Sequence, residues 1–142
     1  MAAFRAHVVF GLILLASGIV FDFLYLGTQL SGAFRSDPTA YLASWGKNLM
    51  EMTRLYFFVF GFLHIAVALV RSRFVDGARF EWTILGLLSL GSVLVIASGI
   101  WYAFAGPSFE WSMRCTVLTA GLLTTVSSLA LEGYSVLTDR WS

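Results

Sequence analysis

Four long apolar runs organise this chain. They cover about residues 5–30, 47–70, 82–105 and 111–137, with short polar stretches between them. Each exceeds the ~20 residues a helix needs to cross hydrocarbon. Backbone exposed to lipid must satisfy its own hydrogen bonds, so each run is predicted to be helical. The expected fold is an all-α integral membrane protein, an antiparallel four-transmembrane-helix bundle. The connections are the stretch from Ser31 to Gly46 with Pro38, a polar segment from Arg71 to Glu81 turning at Gly77, and a tight Gly106-Pro107-Ser108 turn. The length of 142 residues allows a single membrane domain, 1–142. Ser31-Gly32-Ala33 resembles a cleavage site, but the preceding apolar run is longer than a signal core and contains Asp22. It is therefore read as an uncleaved span.

Polar and small residues inside the runs fall on helical stripes. His7, Gly11, Gly18, Asp22 and Gln29 share one face of the first span, filled in by Leu14 and Tyr25. Glu51, Arg54, Phe58, Gly61 and Ile65 share one face of the second, with His64 at its edge. The third carries Gly91, Ser98 and Tyr102 on one stripe and Ser92 and Gly99 on another. Arg114, Gly121, Thr125, Ser128 and Glu132 line the fourth. Small residues let helices approach closely and polar ones find partners across the contact, so these faces are expected to point inward.

Composition supports the bilayer. The chain is 58% hydrophobic and 12% charged, against about 25% charged for a soluble domain. A net charge of +1 gives no electrostatic case for nucleic acid. The lone Cys115 excludes an internal disulfide, a CxxC pair and a thiolate zinc site, and is read as a small buried helix residue. Arg5, Arg71, Arg73, Arg79 and Arg140 outnumber Arg35 and Lys47 on the other side, which puts both termini in the cytoplasm, with the bacterial inner membrane as the expected location. Trp45, Trp82, Trp101, Trp111 and Trp141 fall near span ends, where interfacial tryptophan is enriched.

Depth sharpens the picture. At ~1.5 Å per residue, Asp22 lies roughly 25 Å from Arg5, Arg54 roughly 25 Å from Arg71, and Arg114 roughly 27 Å from Glu132. The three charges are thus expected in one layer of the outer half of the membrane, with Glu51, Tyr25, Tyr102 and Glu110 in or just above it, and a second, cytoplasmic layer could contain His7, Glu132 and His64. Ionised groups at such depth are costly and usually have partners or functions. Asp22 and Arg54 suit a bidentate pair, which alone would fix helix register. As a site, Asp22, Arg54 and Glu51 are the candidate catalytic residues, and Tyr25, Tyr102, Arg114 and Phe58 the candidate ligand-binding ones. Acids, cations and phenols beside an apolar cavity suit binding, and acid–base isomerisation, of a small lipophilic molecule.

Two other functions compete. His7 and His64 raise a haem b site in an accessory subunit of a larger haem- or quinone-associated complex. Referred to Arg5 and Arg71, however, the histidines differ in depth by roughly 7–8 Å. An oligomeric proton-coupled transporter would use Asp22, but no proline breaks any span. No metal site is predicted, since no third ligand lies at motif spacing. A homo-oligomer or a membrane complex is the expected assembly, with membrane lipid as its surroundings.

In length, span number and its opening Arg5-Ala6-His7, the chain resembles small four-helix membrane isomerases such as hydroxylaminobenzene mutase and styrene oxide isomerase. That resemblance implies isomerase chemistry. Where styrene oxide isomerase carries a haem-ligating histidine early in its second span, this chain reads Trp45-Gly46-Lys47-Asn48-Leu49-Met50. No functional residue is carried over.

Overall fold

A computed structural model describes residues 2–26, 28, 44–75, 80–105 and 110–139. Within them lie α1 (Ala2–Phe21), continued by a π-helical turn (Asp22–Leu26), α2 (Trp45–Phe74), α3 (Glu81–Ala105) and α4 (Met113–Asp139). All four helices are long and apolar enough to cross a membrane. Gln29, Pro38, Arg35, Gly77, Arg79, the Gly106-Pro107-Ser108 turn, Arg140 and Trp141 lie outside the described residues.

The boundaries follow local chemistry. Ser44 caps α2 by accepting a hydrogen bond from the Lys47 amide at 3.2 Å, which satisfies one of the orphan donors of the first turn. α2 then begins at Trp45 and runs to Phe74, past the expected end at Val70. Arg71 is therefore not a loop residue at the membrane edge. It lies within the helix, 6% exposed, and donates from Nη1 to Glu132 Oε2 at 2.6 Å. One of the cations counted toward orientation is thus an internal ion-pair partner.

Packing is sequential: α1 lies on α2, α2 on α3 and α3 on α4, with lighter α1–α3 and α2–α4 contacts. Close approach is built on glycine. A Cβ on Gly11 would stand 2.7 Å from the Gly61 carbonyl oxygen, and one on Gly61 3.0 Å from that of Gly11. The middle of α1 thus meets the middle of α2, and the His7–His64 contact joins the early part of α1 to the later half of α2. The two stripes of α3 also find their reason. Gly99 presses on Thr53 and Ser92 lies by His64, both of α2, whereas Gly91 presses on Gly121 and Thr125 of α4. A helix between two neighbours needs two inward faces, which blurs the single-face pattern expected of a surface helix.

The buried apolar residues form two clusters, Leu14, Phe60, Val95 and Ile96 in one and Val67, Ile84 and Leu88 in the other. The outward faces carry Leu12, Ile19, Phe62, Leu90, Leu123 and Val126, all exposed. Trp45, Trp82, Trp101 and Trp111 are exposed near helix ends.

Candidate functional site

The charge pair expected on the first two spans is present. Arg54 Nη1 donates to Asp22 Oδ1 at 3.2 Å and to Oδ2 at 3.4 Å. A single guanidinium nitrogen straddles the carboxylate, so the fork-to-fork bidentate geometry is replaced by a looser one. Both side chains remain about one-third exposed, 34% for Asp22 and 36% for Arg54. Asp22 opens the π-helical turn. π-turns inside α-helices are rare and often occur at functional sites.

On the flank of α1 beside this pair lies a groove of about 560 Å³, open on its outer side and almost wholly apolar. Ile13, Ala16, Val20 and Leu24 line it together with Ser17, Phe21, Tyr25 and Phe57. Tyr25 stacks on Phe21, with centroids 5.4 Å apart at 9°, and meets Phe104 of α3 edge-on. Phe57 tilts against Phe21 at 5.6 Å. Asp22 does not itself line the groove. It occupies the step between Phe21 and Tyr25, turned toward α2. Ser17 and Tyr25 are the wall's hydrogen-bonding side chains.

The remaining candidates separate. Phe58 packs over Gly18, where an added Cβ would come within 3.3 Å of its ring. Glu51 pairs with Lys47 one turn away at 3.1 Å. Tyr102 and Arg114 belong to a second cluster on α3 and α4. The Arg114 guanidinium stands over the Tyr102 ring, 5.1 Å from its centroid. The Tyr102 hydroxyl shares a hydrogen bond with Cys115 Sγ at 2.6 Å. Cys115 is half-buried with a polar partner, rather than a small buried filler. Tyr102 and Cys115 lie on either side of Gly106-Pro107 in the sequence, and that placement was the available signal.

The two histidines considered for the cytoplasmic layer meet directly. His7 and His64 are fully buried, and their Nδ1 atoms are 3.0 Å apart. The expected depth mismatch took Arg71 as a marker of the membrane edge. Arg71 is instead drawn inside by Glu132, so that reference level was misplaced. The pair does not fit a bis-histidine haem. Two axial imidazoles stand on opposite sides of an iron, with nitrogens ~4 Å apart at metal–nitrogen distances of about 2 Å. Here the rings bond each other directly. Among the described residues, no three His, Cys, Asp or Glu side chains gather as a metal site.

Comparison with known protein families, with characterised proteins and with solved structures finds no match, so the functional reading rests on this geometry.

Proposed function

We propose that the chain is an integral membrane protein, an antiparallel four-span bundle with both termini in the cytoplasm of a bacterial cell, and that it binds a small lipophilic molecule in the groove beside Asp22 and Arg54. The observation that carries this reading is the groove itself. Its apolar wall matches a lipophilic body. Its aromatic side, Phe21, Tyr25 and Phe57, offers stacking surface. Beside it stand a phenol and an ion pair about one-third exposed, able to orient a polar head. The open side faces the surroundings of the helix, so such a molecule enters from the membrane without crossing water.

The exposed apolar belt supports the bilayer assignment, because monomeric soluble proteins rarely expose contiguous apolar surface beyond a few hundred Å². Arg5 near the start of α1 and Arg73 near the end of α2 support the orientation, lying at the same end of their helices' contact. A homo-oligomer would place a second copy over the open side. Binding is what the groove supports. An isomerase acting there would also need proton transfer, for which Asp22 and Tyr25 are the available groups.

Ala16→Trp tests the proposal, because Ala16 is exposed and its replacement fills the groove without disturbing a helix contact. Native mass spectrometry of gently extracted protein should show a stoichiometric small-molecule adduct on the parent chain and none on the variant. An adduct retained by Ala16→Trp removes the groove from the account. Stoichiometric protein partners in place of an adduct point to an accessory subunit.

A further inference from the structure

Well away from the groove, the bundle interior holds a second polar assembly that the proposed binding does not use. His7 lies on α1 roughly 22 Å before Asp22, at ~1.5 Å per residue. It meets His64 of α2, on which the Phe10 ring also packs, with centroids 4.8 Å apart. Ser92 of α3 closes the group, its Oγ 3.4 Å from His64 Nε2.

Proton counting assigns every role. A serine hydroxyl has one hydrogen. Ser92 donates it to the Leu88 carbonyl at 2.7 Å. Ser92 therefore offers His64 only a lone pair, and His64 Nε2 must carry the hydrogen that faces it. A neutral imidazole carries a single N–H, so His64 Nδ1 is bare and accepts. His7 Nδ1 must then be the donor across the 3.0 Å contact. By the same rule His7 Nε2 is bare. That nitrogen is buried and finds no hydrogen-bond partner among the described residues. Buried polar groups are rarely left so, and each one calls for an explanation.

The surroundings are charged on several sides. Arg71 of α2 and Glu81 of α3 are the charges whose fields reach His7. Arg71 in turn holds Glu132 of α4, whose second oxygen, Oε1, is also buried without a partner among the described residues. Arg71 opposes a positive charge on His7, whereas Glu81 favours one.

We propose that His7 Nε2 is a buried base, a proton-binding site assembled by α1, α2 and α3, with His64 and Ser92 as its positioning residues. The ligand is a hydrogen ion. A hydronium ion gives one proton to the Nε2 lone pair and leaves as water. A new N–H bond forms, and His7 becomes an imidazolium whose Nδ1–H stays on His64. The hydrogen bond to His64 orients the ring and fixes the tautomer in which its far nitrogen is the base, as an orienting acceptor does behind any working histidine. This site does not depend on the groove, and either can fail without the other.

Histidine-labelled nitrogen NMR of the full chain in lipid nanodiscs tests it, read from about pH 8 to about pH 4 across the histidine range. At the upper end, one ring should show the Nδ1–H tautomer and the other Nε2–H, coupled through a shared hydrogen bond. His7→Gln identifies the first as His7. On acidification the added proton should appear on His7 Nε2, while His64 remains neutral. Ser92→Ala, a small change at a buried position, should weaken the tautomer preference of His64 and move the His7 titration with it. Two Nε2–H tautomers at the upper end would overturn the proposal. So would His64 taking the proton first, or a Ser92→Ala spectrum identical to that of the parent chain. Should His7→Gln fail to fold, Ser92→Ala and the parent spectra still decide the matter.

Discussion

Asp22 and Arg54 meet at 3.2 Å across α1 and α2, beside an apolar groove and on the first residue of a π-helical turn. Both side chains are about one-third exposed, so their mutual attraction is diluted. Partly exposed pairs of this kind are worth about 1 kcal/mol or less. A double-mutant cycle with Asp22→Asn and Arg54→Leu should therefore show weak coupling in unfolding experiments. The same substitutions should remove most of the retained ligand. Strong coupling in stability with ligand retention intact would make the pair a register device only.

The Arg71–Glu132 pair behaves differently. At 7% side-chain exposure on each partner and 2.6 Å, it is desolvated. Removing one partner by Glu132→Ala takes the carboxylate away from a buried guanidinium, at a cost of about 3–5 kcal/mol. Replacing both, with Arg71→Met and Glu132→Leu, should restore most of that loss, since buried ion pairs roughly balance their desolvation. Denaturation in detergent micelles measures both. A mild Glu132→Ala would mean that the pair reaches water.

Glycine substitutions should divide by location. Gly61→Ala places a methyl group 2.8 Å from Leu15 and 3.0 Å from the Gly11 carbonyl oxygen, and overpacking of this kind costs about 1–3 kcal/mol. Gly86→Ala meets nothing within 4 Å and should stabilise α3 by about 0.5–1 kcal/mol through helix propensity. Equal effects at the two positions would contradict the α1–α2 crossing.

Ser128 donates to the Ile84 carbonyl across the α3–α4 contact at 2.9 Å, fully buried. Ser128→Ala should cost about 1 kcal/mol. Val126→Ala, on the exposed face of the same helix, serves as the control in the same unfolding assay, and a larger loss there would reverse the assignment of faces.

The four helices were legible because runs beyond ~20 apolar residues have few alternatives. The stripes of α1 and α4 were legible too. His7, Gly11, Leu14 and Gly18 are buried as their spacing implied, and so are Gly121, Thr125, Ser128 and Glu132. Asp22 and Arg54 could be paired because rise per residue places both from the helix ends. The same ruler failed for His7 and His64, since it took Arg71 for a boundary when Glu132 holds it inside. Periodicity does not show which charge crosses to which helix. Nor could it separate Tyr102 and Arg114 from Asp22. They share its expected depth, but they sit on the α3–α4 pair rather than on α1 and α2.

An electron cryomicroscopy structure in native-lipid nanodiscs tests the central claim most directly. The account predicts density for a compact lipophilic molecule between Ala16, Phe21 and Phe57, its polar end directed toward Tyr25 and the Asp22–Arg54 pair. Ordinary acyl-chain density along that flank, or Asp22 turned to lipid and more than about 10 Å from Arg54, beyond the reach of screened attraction, would contradict it.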